Sequence, residues 1–194
     1  MAKNSDFLNL FKRLEAIQSG HFILTSGNHS DTYVQCARIL ENPPVTARLC
    51  KILSAPWKKS KIDVVVGPAV GGIIIAYELA CALKARAIYM ERMGNKLTLR
   101  RGFSINKGEN VLVVEDVVTT GGSAQEVMEV AKKLGANVKG VVSLVDRSGQ
   151  MKSIFPVKTN SILKVKPLLY TPAECPLCKQ GIPANTPGSR GLKK

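Results

Sequence analysis

The centre of this 194-residue chain alternates short apolar runs with segments of helical period, and that alternation limits the fold more than any other feature. Ile62–Val66 is a short apolar run ending at Gly67-Pro68, as a strand buried on both faces would. Ile73 to Leu83 reads as a mostly buried helix, Ala87 to Met90 as a second strand, and Val111 to Val114 as a third. Ser123 to Leu134 sets Ala124, Val127, Met128, Ala131 and Leu134 at the spacing of one helical face, with Gly135 as its stop. Val138 to Val145 is the fourth strand. Strands that alternate with helices are joined by right-handed crossovers and pair in parallel. The expected class is α/β, a central mostly parallel sheet flanked by helices.

The flanks read differently. Residues 5–19 suggest an amphipathic helix with Phe7, Leu8, Phe11, Leu14 and Ile17 on one side, and Gly20 to Ile39 reads as irregular and polar. Met93 to Lys107 carries Gly94, Asn95, Lys96, Arg100, Arg101 and Gly102, and the alternation Leu97-Thr98-Leu99 suggests a hairpin or a mobile flap. Thr171 to Lys194 holds Pro172, Pro176, Pro183 and Pro187 with Gly181, Gly188 and Gly191, the composition of a tail that wraps or stays loose. The length suits a single domain over 1–194, with about 1–40 as an N-terminal hood, about 41–170 as the α/β core and about 171–194 as the tail.

Lys and Arg total 28 against 14 Asp and Glu, for a formal charge of +14. Such a field concentrates anions, whether phosphate ligands or nucleic acid. Aromatics at 5% disfavour a single-strand binder built on base stacking. No apolar run is long enough to span a bilayer, and the start has no apolar block behind a basic segment, so a cytoplasmic location is expected. Five cysteines, an odd count, argue against a disulfide framework.

The third strand runs directly into an unusual stretch. Val111 to Ser123 reads V-L-V-V-E-D-V-V-T-T-G-G-S. Ser123 followed by Glu126 is a capping-box pattern, which expects a helix N-terminus right after Thr119, Thr120, Gly121 and Gly122. Glycines there let amides approach an anion, and the hydroxyls add donors. A hydrogen bond to a charged group is worth about 1.5–3 kcal/mol, more than the ~0.3–1 kcal/mol of a helix dipole. Converging amides therefore decide the site, and a monophosphate is its natural occupant. Glu115 and Asp116 would repel that phosphate but accept hydrogen bonds from vicinal hydroxyls, so ribose 5-phosphate satisfies both halves. Strict strand alternation points the two carboxylates to opposite faces, so both reach one ribose only if the strand relaxes near Glu115. Neither G-x-x-x-x-G-K-[ST] nor G-x-G-x-x-G after a strand is present.

All thirteen positions resemble the phosphoribosyl-pyrophosphate (PRPP) motif of type I phosphoribosyltransferases. The resemblance implies that Glu115, Asp116, Val117, Val118, Thr119, Thr120, Gly121, Gly122 and Ser123 bind PRPP. Phe22 to Gln35 (F-I-L-T-S-G-N-H-S-D-T-Y-V-Q) is similar to the orotate segment of the orotate phosphoribosyltransferases, with Thr25 where the family has lysine and Tyr33 and Val34 at its aromatic positions. Thr25, Ser26, Gly27 and Tyr33 would then meet orotate, together with Thr119. Val66 to Gly72 (V-G-P-A-V-G-G) resembles the pyrophosphate loop, with Gly71 in place of a frequent lysine, so the backbone of Gly71 and Gly72 would carry that contact.

The Met93–Lys107 segment stands where the family has its mobile catalytic loop, with Arg92, Lys96, Arg100 and Arg101 but no histidine. Lys96 and Arg100 are the expected catalytic cations, acting with Asp116, and Arg92 is assigned to PRPP; a solvated basic hairpin is the alternative. Val142 to Gly149 resembles the final core strand, whose arginine, here Arg147, would fork onto the orotate carboxylate or form a surface ion pair. The tail stretch Pro183–Arg190 is similar to a thermophile-type subgroup.

As a whole the resemblance implies a glycosyltransferase (a pentosyltransferase) of pyrimidine biosynthesis, a homodimer that uses Mg²⁺. It would make orotidine 5′-monophosphate and pyrophosphate from orotate and PRPP. A purine-base phosphoribosyltransferase and a non-catalytic, PRPP-sensing regulator that binds nucleic acid are the alternatives. No side chain is assigned to the magnesium, which PRPP itself would hold. Cys175-Pro-Leu-Cys178 is half of a four-ligand zinc site. A second chain, His21, His29 or Cys36 would complete it; otherwise the two are ordinary thiols.

Overall fold

The computed structural model describes residues 4–187. Gly188, Ser189 and Arg190, the end of the tail stretch singled out above, lie outside the described residues. In chain order the elements are α1 (Asn4–Arg13), β1 (Ile17–Ile23), β2 (His29–Val34), α2 (Ala37–Leu40), α3 (Pro43–Ser54), β3 (Val64–Pro68), α4 (Gly71–Leu83), β4 (Arg86–Met93), β5 (Lys96–Leu99), β6 (Asn110–Val118), α5 (Gly122–Lys133), β7 (Asn137–Asp146), α6 (Met151–Ile154), β8 (Lys158–Lys164), β9 (Leu169–Tyr170) and α7 (Pro176–Lys179). They form two compact units, one of residues 36–165 and one of the described residues before 36 and after 165.

The larger unit holds a six-stranded sheet in the order β5-β4-β3-β6-β7-β8. Every pair is parallel except β4 with β5. Val64, Val66, Val111 and Val113 join Ala124, Val127, Met128 and Ala131 of α5 in one core. The alternate residues Val65 and Leu112 are just as buried, as strands covered on both faces require. Each such side chain stabilises the fold by roughly 1.5–3 kcal/mol. The chain leaves β3 through α4 toward β4, and leaves β6 through α5 toward β7 on the other side. Strand order therefore reverses between β3 and β6, and the carboxyl ends of those two neighbours flank the crevice where open α/β sheets bind ligands.

The basic segment after β4 is a hairpin. β4 and β5 pair from Met93↔Lys96 to Met90↔Leu99, turning at Gly94, whose φ of 58° is left-handed. Leu97 is buried and Leu99 packs on the core, while Lys96 and Thr98 face outward. Residues 158–164 add β8, a strand the sequence reading did not foresee.

The smaller unit corrects two expectations. The first helix stops at Arg13, not near residue 19: Glu15 is left-handed at φ 55° and the Ala16 amide closes back on the Phe11 carbonyl at 2.8 Å. Ile17 instead opens β1, which pairs antiparallel with β2. Gly20–Ile39 is thus largely ordered hairpin, its other edge extended by β9. Among the described residues no helix is long and apolar enough to cross a membrane.

Candidate functional site

β6 ends at Val118, and α5 begins at Gly122 with left-handed Gly121 (φ 81°) as its N-cap. A Cβ on Gly121 would lie 2.6 Å from Ile154 Cγ2 and 2.9 Å from the Phe155 ring. Glycine is required there both by conformation and by space. Thr119, Thr120 and Gly122 are exposed, and the first amides of a helix point out of its N-terminus without intrahelical partners. The turn is therefore open to solvent.

The capping box is not made. No side chain caps α5. The Ser123 hydroxyl and the Ala124 amide bond the Glu115 carboxylate instead. Glu126 reaches the β4–β5 hairpin, accepting from the Leu97 amide and pairing with Arg92 at 2.9 Å. A sequence window sees only local partners, whereas Arg92 and Leu97 arrive from a strand pair that tertiary packing sets beside α5.

The acid pair keeps strict alternation, so the relaxation near Glu115 does not occur. Glu115 turns to the N-terminus of α5, and Asp116 turns to that of α4. The Asp116 carboxylate lies where a Cβ on Gly71 would be, 2.5 Å from Oδ2. Its Oδ1 accepts from the Val117 amide at 2.9 Å. Burial, then the Asp116 charge, push Glu115 up to about 7, against the pull of Ser123 and Ala124. Burial also raises Asp116, opposed by the Val117 amide. Two half-buried carboxylates with raised pKa values ionise more readily once donors from a ligand reach them. The Cys36 thiol sits 3.6 Å from the Asp116 carbonyl, and burial followed by the Asp116 charge keeps it protonated.

The second turn, Pro68 to Gly72, closes on backbone. A Cβ on Gly67 would meet the Gly72 carbonyl oxygen at 2.7 Å, and one on Gly72 would meet Pro68 Cδ at 3.0 Å. The Ala69–Val70 peptide is cis and Val70 is exposed. Gly71 and Gly72 open α4 with no side-chain cap.

The expected cations are distributed as follows. Arg92 is tied to Glu126 and donates to the Asn95 carbonyl at 2.9 Å. Arg101 grips Glu91 through two bonds of 2.9 and 3.0 Å, and Arg100 stands 3.9 Å from the same acid. Lys96 is exposed, without an ion pair among the described residues. Arg147 follows β7, its amide bonded to the Val118 carbonyl at 2.8 Å, which sets it beside the Thr119 turn. Its neighbour Asp146 is buried and accepts from Ser148 at 2.6 Å. Sequence reasoning missed Glu126 and Glu91 as anchors of the basic hairpin; a lone carboxylate on a helix or a strand gives no local sign of such a role.

Thr25, Ser26 and Gly27 belong to the smaller unit. They form the exposed turn of the β1–β2 hairpin, where Gly27 has φ 83° and its amide bonds the Leu24 carbonyl at 2.8 Å. Tyr33 packs against Phe22 at 5.6 Å and its hydroxyl lies 3.3 Å from the Pro187 carbonyl. Val34 is buried.

An α/β sheet whose switch point carries an acid pair, a hydroxyl-rich turn and a second glycine turn defines a class. The family described as Phosphoribosyl transferase domain matches residues 36–167. A relative from Caldanaerobacter subterraneus subsp. tengcongensis, named orotate phosphoribosyltransferase, is 53% identical over 95% of this chain and 97% of its own length. The chain belongs to the orotate phosphoribosyltransferase family. The crystal structure of orotate phosphoribosyltransferase from Aeropyrum pernix superposes with a TM-score of 0.69 at 27% identity, covering 81% of this chain and 93% of that one. That of adenine phosphoribosyltransferase from Rhodothermus marinus, at TM-score 0.66 and 20% identity over 83% of this chain and 99% of that one, shares the fold alone.

Proposed function

We propose that the chain transfers the phosphoribosyl group of PRPP to orotate in the synthesis of UMP. Orotate N1 forms a bond to ribose C1 while the bond from C1 to pyrophosphate breaks, its electron pair leaving on the pyrophosphate. The products are orotidine 5′-monophosphate and pyrophosphate. The supporting observation is that the acid pair and the Thr119–Ser123 turn end the strand next to the one that leads into Pro68–Gly72.

In this reading Thr119–Ser123 hold the 5′-phosphate through amides and hydroxyls. Val117 and Val118 bring the strand to it. Asp116, with one carboxylate oxygen bonded to the Val117 amide, accepts from the ribose hydroxyls. Glu115, on the other face, acts on PRPP through the turn, beside Ser123 and Ala124. Gly71 and Gly72 offer backbone to pyrophosphate, and Arg92, Lys96 and Arg100 supply positive charge as it leaves. Thr25, Ser26, Gly27, Tyr33, Thr119 and Arg147 keep their assignment to orotate. Catalysis is positioning plus stabilisation of a cation-like sugar and an anionic leaving group; neither His21 nor His29 acts as a base.

Magnesium fits this donor set. Asp116 is a hard oxygen donor beside the Pro68–Gly72 turn, too little for a protein cage, and Mg²⁺ takes one or two carboxylates plus substrate phosphates, so PRPP would hold most of it. When bound, it neutralises charge on the pyrophosphate. The protein is proposed to act in the cytoplasm as a homodimer.

The test is a panel of orotate, uracil, adenine, hypoxanthine and xanthine with PRPP, read as pyrophosphate release. Release with orotate alone is the expected result. Release with a purine base instead would move the assignment to that base, and no release with any would remove the transferase reading.

A further inference from the structure

The smaller unit brings together four side chains that the transferase reading leaves idle. His21, His29, Cys175 and Cys178 each direct one ligand atom to a common point, and those atoms all lie within 4.8 Å of one another. We propose that they form a closed four-ligand metal site, two imidazoles and two thiolates, whose occupant is zinc.

Local structure aims each ligand. β1 and β2 slip register between Ser19 and Phe22, and such a bulge re-aims side chains. His21 and Phe22 are consequently both buried, where strict alternation would bury only one. His29 opens β2 opposite Ile23. Cys175 is the residue before α7, and Cys178 lies within its single turn, so the C-x-x-C spacing brings both sulfurs to one side. Cys36 belongs to the larger unit, by the Asp116 carbonyl, and takes no part.

Three of the distances suit a tetrahedron, and the widest, 4.8 Å, has to close by about 1 Å. Bonds of ~2.3 Å to sulfur and ~2.0 Å to nitrogen give edges of roughly 3.3–3.8 Å. His21 Nε2 lies 3.5 Å from Cys175 Sγ and 3.6 Å from Cys178 Sγ, and His29 Nδ1 lies 3.3 Å from Cys178 Sγ. The two imidazole nitrogens stand 2.7 Å apart and need to open by roughly half an ångström. The Ile182 carbonyl 2.7 Å from His21 Nδ1 can only accept. It therefore fixes the proton on Nδ1 and leaves the Nε2 lone pair for a metal, the outer hydrogen bond that ligating histidines make. Two sulfurs and two imidazoles with no carboxylate exclude Mg²⁺ and Ca²⁺ and suit Zn²⁺. Four protein ligands leave no open position, so the site is structural.

The packing explains what such a site does. From Lys166 to Pro187, Cys175 is the only buried residue. Apolar burial therefore scarcely holds this segment, which is joined to the hairpin by the two β2–β9 pairs and by Asn185, bonded to His21 and Ile23 at 2.8 and 2.9 Å. A small unit with so little core needs a staple. Loading the metal binds both thiols as thiolates and releases their two protons.

The test uses the full chain, purified without a metal-affinity tag and with zinc in the medium. Elemental analysis should find one zinc per chain, and X-ray absorption at the zinc edge a shell of two sulfurs and two nitrogens. Cobalt substitution should give the intense visible bands of tetrahedral thiolate coordination. A Cys175→Ser/Cys178→Ser double variant should lose the metal, whereas Cys81→Ser, an exposed thiol of the larger unit, should keep it. If the double variant does not fold, the wild-type stoichiometry and absorption shell decide alone. A wild-type chain that binds no zinc after reconstitution, a shell of oxygens, or full zinc content in the double variant would overturn the proposal.

Discussion

The two turns at the switch point are built from different materials. Pro68–Gly72 is a turn of backbone: Gly67 and Gly72 press against each other and Gly71 makes room for the Asp116 carboxylate. Thr119–Ser123 keeps its hydroxyls, and a carboxylate from its own strand, Glu115, holds Ser123 and Ala124. In the first turn glycine is needed because neighbouring atoms already fill the space of a Cβ. In the second it is needed at Gly121 for the same reason and for a left-handed φ, while a Cβ on Gly122 would make only an ordinary contact with Thr120 Oγ1 at 3.8 Å. A glycine in a phosphate loop therefore carries packing, conformation or ligand approach, and only the three-dimensional neighbours say which.

Substitutions can separate those roles. The largest effect is expected from Asp116→Asn, which should lower turnover with PRPP and orotate by roughly a hundredfold or more with an unchanged melting temperature. Unchanged kinetics would mean that the carboxylate does not meet the sugar. Gly121→Ala forces a left-handed alanine against Ile154 and Phe155, so denaturant titration should show a loss of about 2–4 kcal/mol, with Gly122→Ala far milder. Gly71→Ala should act through Asp116 and reduce turnover about tenfold with little loss of stability. A loss of stability without a loss of turnover would assign this glycine to packing alone.

The smallest effect concerns protons. Glu115 in the folded chain holds its proton up to about 7, against an ordinary 4.5. Its contribution to stability is thus full below roughly pH 4.5 and is lost as pH rises through about 7. A phosphate on the Thr119–Ser123 turn, which Glu115 faces, disfavours the ionised form, so PRPP should bind several-fold more tightly near pH 6 than near pH 8 and take up a proton on binding. Calorimetry in buffers of different ionisation enthalpy measures that proton, and Glu115→Gln should abolish most of the pH dependence.

Strands β3, β4, β6 and β7, the two crossover helices and the thirteen-residue motif were legible because each rests on a local pattern, a short apolar run, period 3.6 or a fixed turn. What was not legible depends on distant partners. S-x-x-E at Ser123 reads as a capping box until Arg92 and Leu97 take Glu126 away from the helix end. The end of the first helix rests on left-handed Glu15, a conformation that glutamate rarely adopts and no spacing announces. His21 and Cys175 are too far apart in sequence for any window to join them; only the hairpin bulge and the returning tail do so.

The most direct measurement is a crystal structure of the protein with PRPP and magnesium. The account predicts the 5′-phosphate on the Thr119–Ser123 amides, the ribose hydroxyls on the Asp116 carboxylate and the pyrophosphate against Gly71 and Gly72. Density for PRPP anywhere else, or a sugar turned so that its hydroxyls avoid Asp116, would contradict it.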